Sequence, residues 1–436
     1  MQMRNMMKLR CIFLSLLVIV LLICVTAPTA SYADRQANEA AEASEGKSGE
    51  TDKELSGDTT EATDITRKVK IKAKPSCNVN SILDGRNTSV AAVKKDTVLT
   101  CTSKVEVGGL YIETEEPAGK IIIETDENAI EVNEENYLHF YVGGVDSGKF
   151  TVTFENSVTI TNIRFLSKGA LPDWVQIWEP APSECDIMIL PAHYDDDTLY
   201  FGGIAPWAID QGASVVVAFY CDHRTEPYRK HEMLDGVWAS GIRSYPVLGS
   251  YADSGLVDLQ RAESQLADAG ITWDDMLERQ VEIYRKYKPQ IILTMSMSGE
   301  YGHPQHIIYA RLAAAAVFAA GDPATFPELA EKYGEHTVSK IYVHNYLSPT
   351  DRIILDLDSP LDSFDGRTPY EIAISAFSKH KTQVSGFISW LKGPMSAANI
   401  QDYSPCEWGL YYSEVGSGTS TDTFFDGITL IKDRGN

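Results

Sequence analysis

The chain has 436 residues, 44% of them hydrophobic, and carries 61 acidic side chains against 38 Lys and Arg, a formal net charge of −23. That length exceeds what one core ordinarily fills, so two domains are expected. The charge argues against a nucleic-acid partner and against general adhesion to an anionic membrane, since both select for Lys and Arg.

Residues 1–33 read as a secretory signal. Lys8 and Arg10 precede the apolar run Cys11 to Val25, and "TAPTASYA" offers small residues for cleavage after Ala33. The alternative is an uncleaved anchor, although the run is short for a bilayer span. Ile23 before Cys24 is larger than lipoprotein signals carry. The protein is therefore expected to be secreted or extracellular, with tethering to the cell surface as a variant and membrane contact only through this segment. Disulfides are allowed there. Cys77, Cys101, Cys185, Cys221 and Cys406 then remain, an odd count that leaves at least one thiol unpaired within the chain, and Cys77–Cys101 is the expected pair. No CxxC spacing occurs, so thiolate-bound zinc is not expected.

Residues 34–66 hold ten acids against Arg35, Lys47 and Lys53, with almost no large apolar side chains. Such a segment buries too little surface to offset its ordering entropy, and a disordered acidic linker is expected. Residues 67–180 change to short alternating runs ("KVKIKAK", "TVLTCTS", "GLYIETE", "KIIIETD", "YLHFYVG", "KFTVTFE", "VTITNIRFLS") punctuated by Gly, Asn and Asp. That pattern predicts an all-β sandwich, and it resembles a discoidin-like or galactose-binding-like jelly roll. Asn87-Thr88-Ser89 is a glycosylation sequon.

Residues 181–436 alternate strands and helices. "DIMILPA" is an unbroken apolar strand, as in a buried parallel sheet. A helix from about Thr198 follows, then "SVVVAFYC", a helix from about Pro227 to Ser240 and a short strand in "SYPVLGS". A helix from about Trp273 to Tyr287 leads to "QIILTMS", and "PQHIIYARLAAAAVFAA" leads to "KIYVHNYLS". The alternation predicts a doubly wound, Rossmann-like α/β fold with a mostly parallel sheet, whose site lies at the carboxyl ends of the strands.

Two clusters fall at such ends: "HYDDD" (His193 to Asp197) and "GEYGHPQH" (Gly299 to His306). Strands about a hundred residues apart can be neighbours in this topology, so the clusters can share one crevice. They offer imidazoles and carboxylates, the donors zinc takes in open catalytic sites. No GxGxxG follows the first strand and no GxSxG occurs, which removes the dinucleotide and serine-hydrolase readings.

The two motifs together, in this order and at strand ends, resemble those of the PIG-L/LmbE-like family of N-acetylglucosaminyl deacetylases, over about Cys185 to Asp426. Its motifs read His-Pro-Asp-Asp-Glu and Gly-His-Pro-Asp-His. The resemblance implies a zinc-dependent hydrolase that removes acetyl from an N-acetylglucosamine-type sugar in a glycan or glycoconjugate. It implies His193, Asp196 and His306 as zinc ligands and Asp195 as the base that takes a proton from the attacking water. It implies His303 as an imidazolium that stabilises the oxyanion, and Tyr301 as a group polarising the substrate carbonyl. Arg229 is placed near the sugar hydroxyls, with Glu232 orienting it.

The sequence departs from the family pattern at Tyr194, at Asp197 and at Gln305, which removes a charge near His306. Asp197 would be a shortened support for a ligand histidine. Asp222 and His223, after the second strand, are candidate substrate contacts. His380 and Gln383 share a helix face, either lining the site or facing solvent. Trp174, Trp178, Trp390 and Trp408 are available to stack on sugar rings or to fill cores. Two alternatives stay open: an amidohydrolase acting on a non-sugar acyl amide, and a carbohydrate-binding surface protein without catalysis.

Overall fold

The computed structural model describes residues 60–346, 352–383, 396–400 and 402–434. The expected signal segment, most of the acidic linker and Trp390 lie outside the described residues. The linker expectation needs one correction. Ala62 and Ile65 are buried, and Glu61 and Asp64 bridge to Ala170 and Leu166, so ordered chain begins before residue 66. Two apolar side chains are enough to dock this short acidic stretch against the sheet.

Seven strands follow: β1 (Lys70–Lys74), β2 (Ala91–Val93), β3 (Thr97–Thr114), β4 (Gly119–Thr125), β5 (Ala129–Glu134), β6 (His139–Phe154) and β7 (Val158–Leu166). They hydrogen-bond into one continuous antiparallel sheet in the order β2-β7-β3-β6-β4-β5, with β1 on β3. The expected pairs of short strands are fused. "TVLTCTS" and "GLYIETE" are two halves of the 18-residue β3, and "YLHFYVG" and "KFTVTFE" are halves of β6. The polar interruptions between them are register shifts, from Thr102 to Gly109 against β6, rather than turns. Bulges of this kind bend and twist a sheet. The result is a curled sheet around Leu99, Ile121, Val152, Phe154 and Phe165, with no division into two stacked sheets visible in the pairing. Asn87 of the sequon is buried and accepts from Asn162, which leaves it badly placed for a glycan. The Cys77–Cys101 pairing is also corrected: all five described cysteines are thiols. Cys101 lies deep in the sheet core and Cys77 is half-buried at its margin.

The second sheet has six strands: β8 (Cys185–Leu190), β9 (Val215–Val217), β12 (Pro289–Thr294), β13 (Lys340–His344), β14 (Arg352–Ile354) and β15 (Glu407–Ser413), ordered β14-β15-β13-β12-β8-β9. β9, β8, β12 and β13 run parallel, whereas β15 and β14 add antiparallel at one edge, so the sheet is mixed. β8 is buried at every residue, which is why it reads as an apolar run without alternation. "SVVVAFYC" forms only the three-residue β9, followed by the two-residue β10 (Cys221–Asp222), which pairs with β11 (Tyr251–Ala252). "SYPVLGS" is not a strand; it makes isolated bridges from Ser244 and Val247.

The helices Tyr228–Ala239, Trp273–Tyr287 and Pro304–Gly321 stand where periodicity puts them. Trp273–Tyr287 starts at a Thr272/Asp275 capping box, and Pro304 occupies the first turn of its helix. Leu259–Asp268, Pro327–Tyr333 and Pro369–Phe377 are helices not anticipated from the sequence. The register that matters is Leu190 opposite Thr294, which sets the carboxyl ends of β8 and β12 side by side. Residues Thr59–Asn436 form a single compact unit.

Candidate metal centre and active site

After β8 the chain turns through Pro191–Tyr194 into the single helical turn Asp196–Leu199, with Asp195 at its N-cap. The Asp196 amide donates to the His193 carbonyl at 3.2 Å, which folds the Asp196 carboxylate back over the His193 ring. After β12 the loop Gly299–Gly302 delivers His303 and then His306 in the first turn of helix Pro304–Gly321. Gly299 has φ +71, and a Cβ there would sit 2.5 Å from the His303 carbonyl oxygen, so the loop requires glycine. Tyr301 also adopts a left-handed conformation, φ 46.

His193 Nδ1 lies 3.1 Å from Asp196 Oδ2, His306 Nε2 lies 3.3 Å from the same oxygen, and the two nitrogens are 3.3 Å apart. The far nitrogens are bound elsewhere. His193 Nε2 meets Gln305 Oε1 at 2.9 Å, and His306 Nδ1 meets Glu300 Oε2 at 2.7 Å. Those acceptors put the protons on the far sides, leaving two lone pairs and a carboxylate oxygen aimed at one point. Groups of that kind repel unless a proton or a cation lies between them. The edges also fit a tetrahedral ion, for which ligand contacts of about 2.0–2.2 Å place donors about 3.3–3.5 Å apart. His303 is also near, with one ligand atom each of His193, His303 and His306 within 4.8 Å of one another. Asp196 closes the tighter set.

Glu300 is buried and also bonds His344 Nδ1 at 2.6 Å, while His344 Nε2 meets the Ser404 carbonyl. Burial alone would raise the Glu300 carboxyl, but the bonds from His306 and His344 outweigh it and hold it down at about 2. Against its burial, Asp196 first and then Glu300 lift His306 to about 9, so that without a cation a proton takes the place between the donors.

Asp195 makes a separate ion pair. Its Oδ1 is 3.0 Å from Arg229 Nη2, and burial raises its pKa while the guanidinium opposes the rise. His303 stacks on His306 at 4.4 Å and meets His193 edge-on at 4.7 Å. Burial, with the charge of its histidine neighbours, pushes it down to about 3, so it is a neutral ring rather than an imidazolium. Its Nδ1 is buried with no hydrogen-bond partner among the described residues. Tyr301, 46% exposed, sets its ring 5.7 Å from that of His303.

Several expected roles are corrected. Arg229 bonds Asp195 and His223 Nδ1 and pairs with Glu226 at 3.7 Å, while its buried Nε has no hydrogen-bond partner among the described residues. Glu232 does not orient it; its carboxylate accepts from the Thr382 amide and hydroxyl. Asp222 pairs with Arg224 and Lys230, outside the cluster, whereas His223 is buried beside His193. Asp197 reaches no histidine, and its Oδ1 is buried without a partner. Gln305 acts on His193 rather than beside His306, and its amide donates to the Ala252 carbonyl. His380 lies past the end of helix Pro369–Phe377 and is buried, so neither it nor Gln383 shares a helix face. Trp178 and Trp408 are buried, and Trp174 packs edge-on against Tyr111 with Arg164 over its face, so none is a free stacking platform.

Three members of the site were not anticipated: Glu300, His344 and Asp253. Asp253, just after β11, has Oδ1 3.5 Å from His193 Nε2 and Oδ2 3.4 Å from His223 Nδ1. His344 ends β13, and the strand-end rule could have found it.

The cluster of histidines and carboxylates at the ends of parallel strands in an α/β sheet could hold a metal ion, and comparison with known proteins narrows the class. Residues 188–317 match the PIG-L family model, described as GlcNAc-PI de-N-acetylase. The chain is 26% identical over 216 residues to the 1D-myo-inositol 2-acetamido-2-deoxy-alpha-D-glucopyranoside deacetylase of Streptomyces scabiei, covering 43% of this chain and 64% of that protein. The deacetylase of the same description from Streptomyces avermitilis is 27% identical over 294 residues, covering 55% and 96%. The match thus spans just under two thirds of the first relative. Among solved structures, N,N'-diacetylchitobiose deacetylase from Pyrococcus horikoshii aligns with a TM-score of 0.35 at 17% identity, over 45% of this chain and 70% of that one.

Proposed function

We propose that the protein is a metal-dependent hydrolase, with zinc the fitting ion, that removes the acetyl group from an N-acetylglucosamine-type sugar. The observation that carries this reading is the convergence of His193 Nδ1, Asp196 Oδ2 and His306 Nε2 within 3.1–3.3 Å, with the outer nitrogens of the two rings against Gln305 Oε1 and Glu300 Oε2. The deacetylase relatives supply the substrate class. Zinc held there would supply a Lewis acid that polarises the amide carbonyl and acidifies water.

The chain's own groups do the rest. Asp195, next to Asp196 but outside the three donor contacts, takes the proton of the attacking water. Its raised pKa suits that exchange, and the same carboxyl returns the proton to the leaving amine. His303, as a neutral ring, hydrogen-bonds the acyl oxygen where charge develops, and exposed Tyr301 approaches the same oxygen. His223 lines the crevice next to His193. Arg229 positions Asp195.

The protein would act outside the cytoplasm, residues 1–33 serving as signal and the acidic stretch as a tether. The β-domain, residues 67–180, would hold a glycan near the site in the manner of a galactose-binding module. The decisive experiment is acetate release from N-acetylglucosamine oligomers by wild type and Asp195→Asn. Release by wild type and its loss in the variant is expected. Equal rates would reject the base, and no release from any acetylated amino sugar by metal-loaded protein would favour a non-sugar amide.

A further inference from the structure

A second histidine–carboxylate cluster lies far along the chain from the first motif and has no part in the chemistry above. It joins the two sheets' domains. Glu113 comes from β3 and His139 from β6, while His231 comes from helix Tyr228–Ala239. All three are buried, and one ligand atom of each lies within 4.8 Å of the others. His139 Nε2 is 2.7 Å from His231 Nδ1, with the two rings near parallel, a hydrogen-bond separation that would have to widen to about 3.3 Å for both nitrogens to hold one ion.

The surroundings select for a cation. Glu115 Oε1 is 3.5 Å from His231 Nε2 and Asp235 Oδ1 is 3.8 Å from His139 Nδ1. Among the described residues, the one cation within ion-pair distance of Glu113, Glu115 or Asp235, the two histidines apart, is Arg164, 3.7 Å from Glu113. Three carboxylates therefore face one guanidinium and two imidazoles. Glu113 is buried while Glu115 and Asp235 are part-exposed, and a divalent ion would offset the excess negative charge beside the buried carboxylate.

Outer partners can set the ligands. His139 Nδ1 lies 3.0 Å from Gln176 Oε1 and 3.1 Å from the Tyr111 hydroxyl, and with its proton given to Gln176 it leaves Nε2 bare. His231 Nε2–H, donating to Thr161 Oγ1 at 3.0 Å, leaves Nδ1 bare beside it. Asn162 Nδ2 donates to Glu113 Oε2 at 2.7 Å and fixes that carboxylate. Bonded outer partners of this kind accompany metal ligands. Glu113, Gln176 and Asp235 also line a cavity of about 560 Å³ that takes in Trp174, Trp238 and Arg367.

We propose that Glu113, His139 and His231 form a second metal site, for a borderline divalent cation such as zinc, which pins the β-domain to the α/β domain. Two imidazoles and one carboxylate are a donor set zinc accepts. Because ligands come from both domains, the ion would stabilise the junction by mass action.

The test uses the full chain, stripped with chelator, dialysed against micromolar Zn²⁺ and analysed for bound metal. Wild type should hold about two ions, and Glu113→Gln and His231→Asn about one each. The doubly substituted His193→Ala, His306→Ala protein should keep about one, and Zn²⁺ should raise its Tm by several degrees, an increase lost when Glu113→Gln is added. Glu113→Gln is nearly isosteric; should the histidine variants fail to fold by circular dichroism, this variant and the Tm response of wild type to Zn²⁺ still decide. One ion in wild type, lost in His306→Ala and kept in Glu113→Gln, would overturn this site and leave the active centre standing. One ion lost only in Glu113→Gln would do the reverse. No ion in either protein would overturn both, and the His139–His231 contact would then be a plain hydrogen bond from Nδ1–H to Nε2.

Discussion

Arg229 Nη2 stands 3.0 Å from Asp195 Oδ1, with both side chains largely buried, so the base of the proposed reaction is paired with a fixed positive charge. Burial raises the Asp195 pKa and Arg229 lowers it. Removing the guanidinium therefore takes away the lowering influence alone. Arg229→Met should move the acid limb of the kcat/KM profile to higher pH. Asp195 must be ionised to act, so activity near pH 6 should fall more than activity near pH 8. An unshifted limb would mean that Asp195 is not the titrating base.

Asp195→Asn should reduce acetate release by about 10²–10⁴-fold, the usual contribution of a positioned general base. Because Asp195 makes none of the three donor contacts, bound metal should stay at the wild-type level. Loss of metal together with activity would show that Asp195 is itself a ligand.

Glu300 bonds His306 Nδ1 at 2.7 Å and His344 Nδ1 at 2.6 Å. Glu300→Gln keeps the shape but weakens the hold on the His306 tautomer. Metal affinity at the active centre should drop by about 10–100-fold, the range found for outer partners of ligands. Excess metal should restore much of the rate, which a folding defect would not allow. Competition with a chelating dye measures it.

The described cysteines give a direct check on the redox state. Burial pushes Cys101 up to about 12 and Cys406 up to about 11, and Cys77 is half-buried. Thiols held that high are inert near pH 8. Iodoacetamide on native protein should label Cys77 before Cys101 or Cys406, read by peptide mass spectrometry. A Cys77–Cys101 peptide linked without reductant would restore the disulfide.

Much of the α/β domain was legible in the sequence because its signals are local. "DIMIL" carries no alternation since both faces of β8 are covered, and Thr272 and Pro304 mark helix starts by backbone chemistry. The first motif was legible too: acids and a histidine three residues apart can share one turn, as Asp196 and His193 do. The structure decided what depends on contacts between distant segments. It fused the short β runs, because whether a polar interruption is a turn or a bulge depends on its partner strand. It gave Arg229 to Asp195 and Gln305 to His193, since two neighbouring residues of one motif can face opposite ways. It added Glu300, His344 and Asp253 to the site and set Glu113 and His139 beside His231. Each of those pairings joins side chains whose spacing along the chain carries no periodic mark, so only the packed fold could bring them together.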